Sequence, residues 1–386
     1  MAGRLPGGVR RGAAGPVTSG SAIIATLAAI AAAYQLFAIL ACLSRRRRSR
    51  AGSQPSPAPV RKSSRVSVLK PLRGVDEGLR DALASHAALE GECEIVCGVG
   101  DPEDPAAEVV REFPRLGLRI CPTRTPNGKA GVLMDLAAAA SHPIVIVNDA
   151  DISVEPDYIE RVTAPLSDAH VGLVTCLYRP RAETLAARFE GLGISTDFAP
   201  STLVARLVGV DEFALGSTLA FRRSDLDRIG GFAAVADYLA DDYQLGHRLH
   251  SLELKCVLSD VIVETHLGGG WRDVWRHQVR WARTIRVSKF SGYLGLPITY
   301  ATLWVVVAAA WGRWEIALAL LAVRMLMAIE AGWFVMRSPD VLRLWFLIPV
   351  RDLFAAAVWV VALFGNSVVW RGQRLRLDRE GKIIRT

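Results

Sequence analysis

Two acidic residues, Asp149 and Asp151, follow an apolar run in the segment VIVNDAD, Val145 to Asp151. A hydrophobic run bounded by turn residues predicts a strand buried on both faces. Ligands of open parallel sheets bind beyond the carboxyl ends of such strands. Two carboxylates at i and i+2 can turn toward one divalent cation, and Mg²⁺ and Mn²⁺ prefer oxygen ligands together with phosphate oxygens of a substrate. The pair therefore predicts a metal site; a pair of solvated turn acids is the alternative.

Further polar residues follow two neighbouring predicted strands. Lys70 ends the strand RVSVLKP, Asp101 follows the strand EIVCGVG, and a helical pattern separates the two. Strands that alternate with helices indicate right-handed βαβ units and a parallel sheet, so the fold class is α/β. The chain has no GxGxxG and no GxxxxGK[ST] at this edge, which argues against a dinucleotide fingerprint or an ATP-type phosphate loop. A nucleotide held by acids, a lysine and a metal fits better.

The segment ADDY places Asp241 and Asp242 at the start of a predicted helix. The partial positive charge of a helix N-terminus favours a carboxylate there, so one of the two could be a structural N-cap. A reaction that deprotonates a hydroxyl needs a positioned carboxylate base, which the other acid could supply.

The segment WRDVWRHQVRWARTIRVSK, which starts at Trp271, predicts an amphipathic helix with tryptophans on overlapping faces and cations between them. Such a helix is typical of a membrane interface. Surface anchoring alone would explain the tryptophans. His277, Arg280 and Trp281 nevertheless share one side of the helix by their i, i+3, i+4 spacing, which leaves room for a second role.

The apolar residues exceed what a soluble domain of 386 residues needs, since 51% of the chain is hydrophobic. Ser21 to Leu43 carries no charge and is long enough to cross a hydrocarbon core of about 30 Å. The arginine block SRRRRSR follows directly, which predicts the cytoplasmic side of the membrane. Because the arginines abut a span, and the net charge of +8 suits anionic lipid, we expect a membrane partner and no nucleic acid.

Three more apolar runs follow the predicted interfacial helix, at residues 294–311, 315–335 and 344–365. The basic tail after them predicts a cytoplasmic end. A cytoplasmic main domain then requires an even number of crossings, so one of the three runs should be re-entrant or interfacial. The six cysteines show no CxxC pair and no zinc spacing, and they indicate reduced thiols.

These motifs together resemble the ceramide glucosyltransferase family and its bacterial relatives, the hopanoid-associated glycosyltransferases. Both are inverting enzymes with the GT-A fold. The similarity runs from about Arg65 to Lys289 and more loosely through the membrane segments. It rests on the motifs VSVLKPLRGVDEGL, GVGDPEDP, NGKAGVLMDL, VNDADISVEPDY, ADDY and HQVRW.

The resemblance assigns the nucleotide side of the site. It implies that Asp101 contacts the uridine, that Lys129 lies near the nucleotide, and that Asp149 lies near the ribose and diphosphate. It implies Asp151 as the ligand of a divalent cation, Mg²⁺ or Mn²⁺. Lys70 is expected to contact the substrate from the same edge.

The resemblance also assigns the acceptor side. Asp242 takes the place of the general base and Asp241 that of its neighbour. HQVRW stands where the family has (Q/R)xxRW, so Arg280 and Trp281 match, whereas His277 replaces the usual glutamine or arginine. A histidine can still donate to a phosphate.

The resemblance implies a domain order for the whole chain. The expected parts are an N-terminal tail (1–20), a transmembrane helix (21–43), a basic and Pro/Ser-rich linker (44–64), a GT-A catalytic domain with a mostly parallel sheet (65–265), an amphipathic interfacial helix (266–291), C-terminal membrane segments (292–368) and a basic cytoplasmic tail (369–386). The catalytic domain should be cytoplasmic on a multi-pass protein of the cell membrane.

The expected reaction is transfer of a hexose from a UDP-sugar to a lipid hydroxyl with inversion, with glucose and ceramide as the favoured pair. UDP-N-acetylglucosamine with a hopanoid polyol is the nearest alternative. A polysaccharide synthase, a polyprenyl-phosphate sugar transferase and a non-catalytic membrane receptor for nucleotides or lipids also stay open.

Overall fold

The computed structural model describes residues 16–52, 65–370 and 372–384. Its centre is an eight-stranded sheet with the spatial order β3-β2-β1-β4-β7-β6-β8-β5. The strands are β1 (Val66–Leu72), β2 (Cys93–Val99), β3 (Gly117–Ile120), β4 (Ile144–Val147), β5 (Ile152–Ser153), β6 (Val171–Ala182), β7 (Leu219–Arg222) and β8 (Lys255–Leu267). Four of the neighbouring pairs are parallel, β3/β2, β2/β1, β1/β4 and β6/β8. The predicted α/β class with a mostly parallel sheet is confirmed.

Alternate residues of the central strands fill two separate cores. Val68 and Ile146 pack into the core on one face of the sheet, and Leu69 and Val147 pack into the core on the other. All four side chains are fully buried, and burying an aliphatic side chain contributes about 1.5–3 kcal/mol. Because both faces of β1 and β4 are covered, only the strand ends are left to carry polar, ligand-binding groups.

Helices cover the sheet and continue into the apolar C-terminal part. They are α1 (Pro16–Gly52), α2 (Leu79–Ala87), α3 (Ala106–Arg111), α4 (Gly128–Ala139), α5 (Tyr158–Thr163), α6 (Leu185–Gly193), α7 (Ala199–Leu207), α8 (Arg223–Arg228), α9 (Asp241–His250), α10 (Trp271–Ser288), α11 (Phe290–Thr299), α12 (Ala301–Ala310), α13 (Trp314–Ile329), α14 (Asp340–Arg343) and α15 (Ile348–Ala362). Two wider π-helical turns, Ile194–Phe198 and Glu330–Val335, extend α6 and α13.

The first helix does not end at Leu43 as expected; it continues through the arginine block to Gly52. Arginine is a good helix former, and the block has partners in the protein. Arg45 is buried and donates to the Ser259 carbonyl at 2.9 Å, and Arg46 pairs with Glu330 at 2.7 Å. The predicted linker is therefore helical at its start. The rest of the predicted linker, residues 53–64, and most of the predicted tail 1–20 lie outside the described residues.

Three helical stretches in the described chain are long and apolar enough to cross a membrane: Ala22–Ser49, Trp314–Val335 and Trp345–Ala362. A fourth candidate is the pair α11 and α12, which is bent by 56° at the break between them. Pro297 lies inside α11, and the carbonyl of Thr299 at the break accepts from Gln35 Nε2 at 3.0 Å. A buried break needs such a partner, because a backbone group in an apolar setting is costly when left unpaired.

A buried ion pair joins the last two of these stretches. Arg324 Nε and Nη2 donate to the two carboxylate oxygens of Asp352 at 2.9 and 2.7 Å, and both side chains are almost fully buried. Thr302 adds a hydroxyl donor to the same carboxylate at 2.8 Å. Paired and hydrogen-bonded in this way, the two charges are tolerated in an apolar helix bundle.

Residues after the helices form a small antiparallel sheet of β9 (Ser367–Trp370), β10 (Gln373–Leu377) and β11 (Ile383–Ile384), in the order β11-β10-β9. The segment predicted as a basic tail, residues 369–386, thus contains strands within its described part. Val368, Leu377 and Ile383 are buried and pack against Leu239 of the central domain. The basic residues of this segment alternate with these apolar ones, so the charges stay exposed while one face is buried.

Candidate active site

A cleft of about 1490 Å³ lies at the carboxyl ends of β1, β2 and β4. Nine of the ten predicted site residues line it: Asp101, Lys129, Asp149, Asp151, Asp241, Asp242, His277, Arg280 and Trp281. The interfacial helix α10 forms one wall, and Trp370 and Gln373 of the C-terminal sheet form part of another. The structure thus brings together residues that are separated by up to 180 positions along the chain, from Asp101 to Trp281.

Lys129 is the cation at the centre of the acidic cluster. Its Nζ lies 2.7 Å from Asp149 Oδ1 and 3.1 Å from Asp241 Oδ2. Asn127 caps the helix that carries it, since the Asn127 side chain accepts from the Lys129 N–H at 3.0 Å. Burial alone would lower the pKa of Lys129, but the two carboxylates raise it above its usual value. Lys129 therefore stays positively charged beside Asp149.

Asp151 is the carboxylate that fits a cation. Thr265 Oγ1 donates to Asp151 Oδ2 at 2.6 Å. Burial, together with the charge of Asp149, raises the pKa of Asp151. The protein alone therefore supplies too little positive charge to balance the ionised Asp151 carboxylate. The described residues contain no cluster of three or more His, Cys, Asp or Glu that could enclose a metal. One carboxylate with further oxygens supplied by a diphosphate nevertheless suits Mg²⁺ or Mn²⁺, which are commonly held in that way.

Lys70 does not line the cleft, and its predicted contact with the substrate is wrong. Its side chain is fully buried, and its Nζ donates to the carbonyls of Asp149 at 2.9 Å and Ile152 at 3.3 Å. Burial lowers the pKa of Lys70 to about 8. The side chain turns under the loop that bears Asp149 and Asp151, and it fixes the backbone of that loop.

Asp242 is held in place by backbone donors. The Gly216 N–H donates to its Oδ2 at 2.9 Å and the Tyr243 N–H to its Oδ1 at 2.7 Å. Neither acid of ADDY is the N-cap, a position that Ala240 occupies, so the capping alternative is wrong. Burial, together with the charge of Asp241, raises the pKa of Asp242 to about 6. A carboxyl with such a pKa is ionised at neutral pH and accepts a proton more readily than an ordinary aspartate.

Gly216 lets two of the acids approach each other. A Cβ on this residue would lie 2.9 Å from Asp149 Oδ2 and 3.3 Å from Asp242 Oδ2. Any larger side chain would push the two carboxylates apart or fill the space between them. Gly216 was not predicted as a site residue, although the Gly-Ser turn before β7 is visible in the sequence.

Two distant parts of the chain hold the segment that leads into ADDY. On one side, Asn127 donates to the Tyr238 carbonyl at 2.8 Å. On the other, the Ile383 N–H of β11 donates to the Asp237 carbonyl at 2.7 Å, and the Leu239 N–H donates to the Gly381 carbonyl at 3.2 Å. The C-terminal sheet therefore helps to fix the start of α9, and with it the acids at the cleft.

We expect Ile383→Pro to lower kcat about five- to tenfold, because it removes a backbone donor to Asp237, and the loss of such a bond costs about 1 kcal/mol or more. The affinity for UDP, the nucleotide that the resemblance implies, should be unchanged. Initial rates at saturating substrates measure the effect. Ile383→Val keeps the N–H and is the matched control, so equal kcat values for the two variants would contradict the tether.

Two aromatic residues of α10, His277 and Trp281, face the cleft. The His277 and Trp281 rings lie 4.5 Å apart between centroids, and Trp281 lies 6.2 Å from Phe198. Arg280, half-buried, lines the cleft on the same helix. The predicted grouping of His277, Arg280 and Trp281 on one side of the helix agrees with this placement. Tyr178, which lies half-buried beside Phe198 in the cleft wall, was not predicted.

Two solved structures are similar to this chain at low identity. A mannosyltransferase from Pyrobaculum calidifontis, determined with GDP-Man and Mn²⁺, is 22% identical, with a TM-score of 0.48 over 86% of this chain and 99% of that one. Glucosyl-3-phosphoglycerate synthase from Mycobacterium tuberculosis, determined with Mn²⁺, UDP-Glc and glycerol 3-phosphate, is 17% identical, with a TM-score of 0.37 over 55% and 76% of the two chains.

Two curated relatives from Caenorhabditis elegans match over 204 residues. Ceramide glucosyltransferase 1 is 30% identical and ceramide glucosyltransferase 3 is 25% identical. Each alignment covers 50% of this chain and 44% of the relative, so the match spans less than half the length of these relatives. A family model extends much further: that of glycosyl transferase family 21 matches residues 23–383. The chain belongs to glycosyl transferase family 21.

Proposed function

We propose that the protein is a membrane-bound hexosyltransferase that moves a hexose from a UDP-sugar to a lipid hydroxyl with inversion. Glucose and ceramide are the favoured pair. The observation that carries the proposal is the single cleft that gathers Lys129, Asp149, Asp151 and Asp242 against a wall formed by α10. Sugar transfer to a membrane lipid requires three features: cationic and acidic groups for a nucleotide diphosphate, a buried base, and a helix at the membrane interface.

Asp242 is the proposed general base. It takes the proton from the acceptor hydroxyl as that oxygen bonds to the anomeric carbon. The bond from this carbon to the diphosphate oxygen breaks, and UDP leaves from the opposite face, so the configuration inverts. Gly216 holds the Asp242 carboxylate at 2.9 Å in a fixed position for this proton transfer.

Lys129, Arg280 and His277 are the proposed donors to the diphosphate, and Asp101 is the proposed contact to the uridine. Charge stabilisation by fixed donors is usually the largest catalytic term, and losing one donor costs about 10²–10³ in rate. A divalent cation held by Asp151 would supply further neutralisation of the departing diphosphate.

The membrane arrangement follows from the same proposal. We place α1 and the two later stretches Trp314–Val335 and Trp345–Ala362 across the membrane, and the bent pair α11 and α12 as a re-entrant segment. This gives two crossings after the catalytic domain, so that domain and the C-terminal sheet both lie on the cytoplasmic side with the arginine block. The sheet can then contact the cleft.

The test is incubation of membranes that contain the protein with each UDP-sugar and each acceptor class, followed by mass spectrometry of the lipid products. Glucosylceramide from UDP-glucose is the expected product. A hopanoid bearing N-acetylglucosamine would replace the favoured pair by the nearest alternative, a polymer would indicate a polysaccharide synthase, and a glycosylated polyprenyl phosphate would indicate a phosphate acceptor. UDP binding without UDP release in any combination would favour a non-catalytic receptor.

The raised pKa of Asp242 predicts the acid side of the pH–rate profile. The base must be ionised, so kcat/KM should be constant above the pKa of about 6 and fall about tenfold per pH unit below it. Initial rates between pH 4.5 and 8, measured in buffers of about equal ionic strength, check this. Asp241→Asn removes the neighbouring charge and should move the decline to lower pH; a decline that begins near pH 4 in the wild type would contradict the assignment.

A further inference from the structure

Glu190 is a buried carboxylate in the wall of the cleft that the proposed reaction does not use. It lies on α6 and is 3% exposed. Its Oε1 is 2.7 Å from His277 Nδ1 and accepts from Gln278 Nε2 at 2.8 Å. Gln278 Oε1 in turn accepts from Arg351 Nη2 at 2.6 Å. A chain of polar contacts thus runs from α15 through α10 and α6 to the imidazole at the cleft.

A buried carboxylate is costly unless it is paired and hydrogen-bonded. Burial would raise the pKa of Glu190, but the hydrogen bond from His277 and its positive charge lower it below the usual value, so Glu190 is an acceptor. In the contact between these two side chains, the proton therefore lies on His277 Nδ1, which donates it to Glu190. The other ring nitrogen, Nε2, has no hydrogen-bond partner among the described residues, and the ring lines the cleft.

This arrangement fixes the orientation of the imidazole, as a carboxylate does for histidines in metal sites and catalytic pairs. The ring is also held against Trp281, with 4.5 Å between the centroids. Three other charged residues of the same helix line the cleft, Asp273, Arg276 and Arg280. Arg351 reaches Glu190 only through Gln278. None of these replaces Glu190 as the partner of Nδ1.

Resting on the proposed function, we propose that Glu190 is a positioning residue that holds His277 so that its Nε2 faces the diphosphate of the bound donor. With a proton on each ring nitrogen, His277 donates from Nδ1 to Glu190 and from Nε2 to the phosphate, and both acceptors are anionic.

The experiment compares the affinities for UDP and for uridine, measured on the full chain in lipid nanodiscs by calorimetry and by ligand-observed NMR. Glu190→Gln should weaken UDP binding about tenfold and leave uridine binding unchanged, because only UDP carries the phosphates. His277→Ala should do the same, and Glu190→Gln in the His277→Ala background should cost nothing further. Glu190→Asp, which keeps a carboxylate, should recover part of the loss.

Glu330→Gln is the matched control, since Glu330 is also an ion-paired glutamate; it is half-buried and pairs with Arg46 away from the cleft. Equal losses for UDP and uridine in Glu190→Gln would show a structural role only and would overturn the inference, as would additive losses in the double variant. Normal UDP binding in the wild type together with unchanged binding in Glu190→Gln would also overturn it while leaving the proposed function intact. Failure of the wild type to bind UDP would overturn both.

Discussion

Asp242→Asn is expected to reduce sugar transfer by about 10²–10⁴-fold, the range that a positioned general base contributes, while UDP affinity changes little. Asparagine has nearly the same shape and can still accept from the Gly216 N–H, which lies 2.9 Å from Asp242 Oδ2. It cannot take a proton from the acceptor. The pKa of the Asp242 carboxyl is raised to about 6. The wild-type carboxylate is therefore a better base than an average aspartate, and the asparagine variant lacks it.

Transfer rates under saturating donor and acceptor, together with calorimetry of UDP binding, separate the two effects. Asp227→Asn is the matched control, because Asp227 is exposed on α8 and does not line the cleft. A rate for Asp242→Asn within tenfold of the wild type would rule out Asp242 as the base. Asp241 would then be the next candidate; its carboxylate also lines the cleft but pairs with Lys129 at 3.1 Å.

The second large effect is expected at Asp151. Asp151→Asn should lower transfer by about 10²–10³-fold and should abolish the binding of Mn²⁺ in the presence of UDP. Chelation with EDTA should do the same to the wild type, and Mn²⁺ should restore activity to the wild type only. The reason is that one carboxylate and the phosphate oxygens would together hold the cation, so removal of either leaves too few ligands.

Electron paramagnetic resonance of free Mn²⁺, with and without UDP, measures this binding independently of turnover. Asp157→Asn is the matched control, since Asp157 is exposed, follows in the same chain segment and pairs with Arg161 at 3.3 Å. Retention of UDP-dependent Mn²⁺ binding in Asp151→Asn would rule out Asp151 as the ligand. Full activity of the wild type after chelation would rule out the cation altogether.

The central sheet and most of the cleft could be predicted because their signals are local. An apolar run that ends in NDAD specifies both a buried strand and the acids at its end, and ADDY and RW mark their places in chain order. Lys70 shows the limit of this approach. Its position at the end of β1 is visible in the sequence, but the direction of its side chain depends on the carbonyls of Asp149 and Ile152, about 80 residues later.

Two other structural features were not predicted, for the same reason. The arginine block was taken as the start of a linker, but Glu330, the partner of Arg46, is 284 positions away. The C-terminal segment was taken as a basic tail because its charges dominate its composition. Its fold depends on packing against Leu239, more than 120 residues earlier. Long-range partners of this kind leave no pattern within a short window.

The contact between β11 and the segment before ADDY sets an order of events during biosynthesis. Ile383 follows every candidate span in the chain, so the ribosome releases it only after those helices have been made. Until then, Asp237 and Leu239 lack two of their backbone partners, and the acids that follow are less firmly held. We therefore expect a nascent chain to bind nucleotide before it can transfer sugar, so that activity begins only when the helices are in place.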